Sequence, residues 1–180
     1  MTISDLRLRI ADHSYNPAMR SFTPLLALLL TATVAAQAPQ TSETVARRLI
    51  GSWELVNYEI IAADGTRRPG NFDRGQVTYD ASGRMSAHLM HSSNKADQAP
   101  QTDDVRAAAY RRYLGYWGPF VVDVAGGTVT HIVDGSSNPS WVGSRQLRYF
   151  QLSNDDTQLT LSLRDGPRTT QSLVWKRSRP

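Results

Sequence analysis

No cysteine occurs anywhere in the 180 residues. That excludes disulfides, thiolate metal sites and anchoring through a lipid-modified cysteine, so the fold must hold by packing and backbone pairing alone. Long apolar runs are nearly as scarce. The main one, Leu25 to Ala36, is shorter than the roughly 20 residues a membrane span needs. Also missing is a basic stripe interleaved with aromatics. Twenty Lys and Arg face 16 Asp and Glu, and the basic residues are scattered, with no run longer than pairs such as Arg47-Arg48, Arg67-Arg68 and Arg111-Arg112. Such a net charge of +4 describes a solvated surface, and nucleic acid is not an expected partner. There is no G-x-S-x-G elbow, no phosphate-binding glycine loop and no H-E-x-x-H helix. Metal and cofactor sites are not expected either. His88 and His91 lie three apart on one expected strand and so face opposite ways, His131 is on another strand, and no cysteine can complete a set.

What is present begins with a leader. Arg20, the apolar segment Leu25 to Ala36 and the small residues around Val34-Ala35-Ala36 have the order of a secretory signal spanning residues 19–36. Cleavage is expected before Gln37; a cut after Ala38 also fits, although it would place Pro39 just past the scissile bond. Residues 1–18 are polar and fit no n-region, so translation is expected to start at Met19, with the upstream piece an artefact of the gene model. On this reading the protein is secreted or periplasmic and keeps no membrane span after processing. A polar leader, 37–43, precedes a folded domain at 44–178.

Short strands broken by turn residues make up most of that domain. Eight are expected: 52–61, 75–80, 84–91, 120–124, 128–134, 145–152, 158–163 and 169–176. Asp64-Gly65, Ser82-Gly83 and Gly126-Gly127 supply tight turns, where glycine reaches positive φ at little cost. A helical turn, 44–49, leads into the first strand. One helix interrupts the strands, between the third and fourth, with Thr102 as N-cap, Asp103 and Asp104 in its first turn and Gly115 at its end. Val105, Ala108, Ala109, Arg112 and Tyr113 share one face of it. Short hairpins make sequence neighbours into spatial neighbours. The expected architecture is therefore an all-β, eight-stranded antiparallel up-and-down barrel, closed so that no strand edge is left unpaired.

Gly51-Ser52-Trp53 at the mouth of the first strand resembles the Gly-x-Trp signature of lipocalins and the wider calycins. The likeness extends in order through "LIGSWELVNYEI", "RGQVTYDASGRMSAHLM", "AAAYRRYLGYWGPFVVD", "GTVTHIVDGSSNPSWVG" and "RQLRYFQL", and in these the chain resembles the bacterial and fungal lipocalin-like domain family. His88 departs from the pattern, standing where a neutral polar residue is expected. The resemblance implies a barrel whose closed end is plugged by Trp53, with Lys176 or Arg177 from the last strand stacked on the indole. It also implies a cavity for a small hydrophobic or amphipathic molecule. It implies no reaction, because fold is not function.

Strand alternation nominates the cavity residues. If Val129 and Val133 point inward, so does His131; if Phe150 and Leu152 do, so do Gln146 and Arg148. A one-residue slip would put all of these outside. His131, Gln146 and Arg148 are the polar candidates; Tyr79, Met85, Tyr116 and Trp141 are the wall candidates. Tyr110, Tyr113, Tyr116 and Trp117 are expected to seal the helix to the barrel. Two functions use these residues: a carrier that holds a small molecule, or an isomerase, cyclase or hydrolase with His131 as general base and Arg148 as oxyanion partner. A third reading is a fully packed barrel with no cavity at all.

Overall fold

The computed structural model describes residues 41–94 and 102–178. The expectations for the start site, the signal and its cleavage lie outside them. The chain opens on α1 (Ser42–Leu49), capped by the Thr41 hydroxyl accepting from the Thr44 amide at 3.2 Å. Ten strands and a second helix follow: β1 (Gly51–Ile61), β2 (Arg67–Pro69), β3 (Arg74–Tyr79), β4 (Arg84–Met90), α2 (Asp103–Arg111), β5 (Tyr113–Asp123), β6 (Thr128–Ile132), β7 (Gly135–Ser136), β8 (Arg145–Leu152), β9 (Gln158–Asp165) and β10 (Arg168–Arg177).

Leaving aside the short β2 and β7, the strands pair antiparallel in the order β10-β9-β8-β6-β5-β4-β3-β1, and β1 pairs back onto β10. The sheet is thus a closed barrel of eight strands. Closure leaves no long edge to template aggregation. Seven of the eight strand positions fall within two residues of expectation at both ends. The fourth is different. Residues 113–119, assigned to the helix and its exit, belong to β5, and α2 stops at Arg111. The run Tyr113-Leu114-Gly115-Tyr116-Trp117 is dominated by aromatics that suit a half-buried pleated surface. Its backbone pairs with β4 from Met90↔Tyr113 to Arg84↔Pro119. Tyr113, Tyr116 and Trp117 are therefore wall residues of the barrel rather than the end of the helix. The fifth strand ends at Ile132 rather than 134, because the Val133 amide turns to the Ser144 carbonyl at 3.0 Å.

The core runs along the barrel axis, through the inward side chains Trp53, Val77, Tyr79, Met85, Val129, Leu159 and Trp175, all at most 4 % exposed. Val45 and Leu49 of α1 join it at one end. Val105, Ala108 and Ala109 of α2 are half-buried, as the helical spacing predicts, and α2 contributes no fully buried residue.

The plug forms at the α1 end. The Trp53 indole N–H donates to the Leu49 carbonyl at 2.9 Å, and the Arg177 guanidinium lies 4.0 Å from the centre of the Trp53 ring. Arg177 also donates to the carbonyls of Asp156 (2.6 Å), Ile50 (2.8 Å) and Arg48 (2.6 Å), tying β1, the β8–β9 turn and the end of α1 together. Of the two basic residues offered for this role, Arg177 takes it. Lys176 is a correction: it is paired with Glu54 in the β1–β10 ladder, and both are exposed on the outer face.

Candidate functional site

Above the plugged end the barrel encloses a hollow of about 230 Å³. Side chains from seven of the eight barrel strands line it, all but β6. Most of the wall is aliphatic: Val77, Ala87 and Leu89 on one side, Leu161, Leu163 and Leu173 on the other. Tyr116, Trp141 and Trp175 supply aromatic surface, and Tyr58, Arg148 and Gln171 the polar groups. A mostly apolar wall with a few placed polar groups is the usual make-up of a small-molecule site. A more open hollow of about 970 Å³ runs along the outside of the sheet past Glu54, Gln76 and His88, whose side chains are all exposed.

Arg148 comes from β8. Its strand has Phe150 and Leu152 on the same face, so burial of that face turns the guanidinium inward, leaving the residue 8 % exposed. One terminal nitrogen donates to the Leu147 carbonyl at 2.8 Å and the other to the Gln146 side-chain oxygen at 3.4 Å. Its carbon centre stands 6.0 Å from the Trp141 ring. Trp141 sits on a 3-10 turn (Pro139–Trp141) and packs edge-on to Tyr116, with ring centres 5.3 Å apart. It therefore covers the hollow, where it is one of the lining residues.

His131 is wholly buried, on the same inward face of β6 as Val129, and Val133, just past the end of the strand, is buried with them. It is not part of the lining. Tyr79 Oη lies 2.8 Å from its Nε2 and Tyr116 Oη lies 3.0 Å from its Nδ1. Burial, helped by the positive charge of Arg148, lowers its pKa from 6.5 to about 3, so the ring is neutral. A neutral imidazole has one N–H and one lone pair, so one tyrosine hydroxyl donates to it and the other accepts. Burial raises both phenol pKa values, well above 10.0 for Tyr79. The three groups form a satisfied polar chain, and Tyr116 is the member that reaches the hollow.

Tyr116, Trp141 and Arg148 thus meet at the hollow. Tyr79, Met85 and His131 are buried but do not line it, and Gln146 is half-buried, donating to Ser144 Oγ at 2.9 Å while holding Arg148. Eleven of the fourteen lining residues are not nominated from the sequence; seven are aliphatic, and the other four are Tyr58, Phe72, Gln171 and Trp175. Tyr58 is hidden by a bulge. The β1–β10 register shifts between Leu55 and Asn57, leaving Val56 as the extra, exposed residue. Simple alternation from Trp53 would aim Asn57 inward; the bulge reverses the phase and brings Tyr58 in. Its hydroxyl donates to the Gln171 oxygen at 2.7 Å. Trp175 was legible, since it alternates with Leu173 on the last strand.

His88 and His91 stand apart from all of this. His88 Nδ1 is 2.7 Å from Tyr113 Oη on the outer face, and His91 Nδ1 is 2.6 Å from Ser93 Oγ.

A closed eight-stranded barrel, stoppered by an indole under a guanidinium and hollow above it, has the architecture of the calycin class. The sequence agrees. Residues 50–178 match the model of the lipocalin-like domain family, and the chain belongs to that family. Over 86 residues, 42 % of this chain and 78 % of the relative, it is 33 % identical to the 4'-hydroxy-3'-methoxypropiophenone carrier protein of Aspergillus oryzae. Among solved structures, a lipocalin-like protein from Bacteroides uniformis is 15 % identical with a TM-score of 0.44, covering 73 % of this chain and 99 % of that one. A de novo designed fluorescence-activating β-barrel is also 15 % identical, with a TM-score of 0.39, covering 77 % and 100 %.

Proposed function

We propose that this protein is a carrier, taking up one small, partly apolar molecule in the hollow of its barrel. The observation that carries the reading is the wall itself: leucines and valine on two sides, with Tyr116, Trp141 and Arg148 converging at one place. The volume, about 230 Å³, is just below the ~300–1,000 Å³ of sites for drug-sized molecules and suits a single ring with a short chain. A relative named as a carrier of an aryl ketone supports the same size and class of ligand. The catalytic reading has less support. Both nitrogens of His131 are engaged by hydroxyls, and a base with a pKa of about 3 accepts protons poorly at neutral pH.

The test is calorimetric titration with 4'-hydroxy-3'-methoxypropiophenone and other one-ring ketones. Saturable uptake of one molecule per chain is expected, weakened by about tenfold or more in Ala87→Phe, which fills the hollow. No uptake of any of these compounds, or uptake unchanged in Ala87→Phe, would overturn the reading. We also propose export, on the strength of the Arg20, Leu25 to Ala36 and Val34-Ala35-Ala36 pattern. N-terminal sequencing of protein recovered outside the cytoplasm should begin near Gln37.

A further inference from the structure

We propose that the hollow is built for an anion: an organic oxyanion, carboxylate or ionised phenol, whose charged oxygen meets Arg148 while its carbon body lies against the leucines. This names the ligand class of the carrier reading and rests on that reading.

The hollow holds a charge without a counter-charge. Arg148 is more than nine-tenths buried and lines the hollow. Its partners are a carbonyl, an amide oxygen, the neutral Tyr116 hydroxyl and the face of Trp141, none of them negative. Every ion pair found among the described residues uses another arginine: Arg47, Arg48, Arg67, Arg84, Arg106 or Arg168. A buried ion is costly unless it is paired and its donors are used. These three hydrogen bonds do not use all five guanidinium N–H groups, and those left over can meet a ligand.

The titratable groups that surround it cannot supply the missing charge. Tyr58 on β1, Tyr79 on β3, Tyr116 on β5 and His131 on β6 all feel Arg148, and all are neutral near pH 7: burial raises the phenols and lowers the imidazole. The strands that complete the wall, β9 and β10, contribute leucines, Gln171 and Trp175. The indole N–H of Trp175 is itself buried with no acceptor, so the same wall holds a second unused donor. The hollow therefore carries a net positive charge and spare donors inside an apolar shell. A cationic ligand would add a second like charge at low dielectric, and a neutral one would leave the first uncompensated. The planar guanidinium fork matches a carboxylate in two-point contact and a phenolate in one.

Two matched pairs test this: 3-phenylpropanoate against 3-phenylpropanamide, and 4-nitrophenol, buffered above its own pKa, against 4-nitroanisole. Calorimetry on the full chain should show at least one anion bound about tenfold or more tighter than its neutral partner. Which pair shows the preference tells carboxylate from phenolate. In Arg148→Met the charged-over-neutral ratio should fall toward one, and in Arg148→Lys, which keeps the charge but not the fork, it should fall partway; circular dichroism checks that both variants are folded. Equal affinity within both pairs, or a preference that survives in folded Arg148→Met, overturns the inference and leaves the carrier reading standing. If none of the four compounds binds while the one-ring ketones do, this inference falls alone; if the ketones fail as well, the carrier reading falls with it.

Discussion

Arg177 and His131 are both polar residues set against apolar surroundings, and they do so by opposite means. Arg177 keeps its charge, spreading it over one indole face and three backbone carbonyls. Charge-assisted bonds of this kind are worth more than neutral ones, and no other side chain reaches all three acceptors. Arg177→Met should lower unfolding free energy by about 2–4 kcal/mol in chemical denaturation. Arg177→Lys should recover only part of that. His131 gives up its charge instead. Its folded pKa of about 3 lies below the ordinary 6.5, so the unfolded chain binds a proton that the folded one refuses. Stability from this residue is full above about pH 6.5 and drains away as pH falls toward 3, with a slope approaching 1.4 kcal/mol per unit. The carboxylates held low by hydroxyl and amide donors, among them Asp73 and Asp155, also lose stability on acidification, but below about pH 4. Denaturation midpoints measured between about pH 6.5 and 4.5 therefore isolate the histidine. The parent should weaken steadily there, and His131→Gln should show a flatter profile.

Elements succeed or fail as units of register. In β8, Phe150 and Leu152 set the phase, and Arg148 has no choice but to follow them inward. In and just past β6, Val129 and Val133 do the same for His131. Those placements were legible because apolar side chains on one face anchor the whole strand. Tyr58 was not legible, since the bulge at Val56 depends on the twist of the β1–β10 seam and leaves no mark in local composition. Nor was the start of β5, where an Ala- and Arg-rich helix runs directly into aromatic residues, separated by Arg112 alone. β5 also contains a position with no room for a side chain. A Cβ at Gly118 would sit 1.8 Å from the Ile132 carbonyl oxygen, where β5 passes from pairing with β7 to pairing with β6. Gly118→Ala must push those strands apart. A loss of about 3 kcal/mol or more is expected in urea unfolding, against a smaller one of about 1 kcal/mol for Gly143→Asn, where the turn is open and only the positive φ is strained.

At the scale of the molecule, the β1–β10 seam turns eight hairpin-linked strands into one closed wall, and closure is what creates an inside. That much follows from the turn spacing and the Gly51-x-Trp53 start. The contents of the inside do not: the hollow is defined by fourteen side chains, and its shape depends on the 3-10 turn that lays Trp141 over it. Native mass spectrometry of the protein purified from its own cells, beside Ala87→Phe prepared in the same way, reads whether the barrel carries a molecule. A small organic molecule, one per chain, should be released from the parent and none, or far less, from the variant. Equal loading of the two proteins, or a parent that emerges empty from cells and from incubation with their small-molecule extract, would contradict the carrier reading.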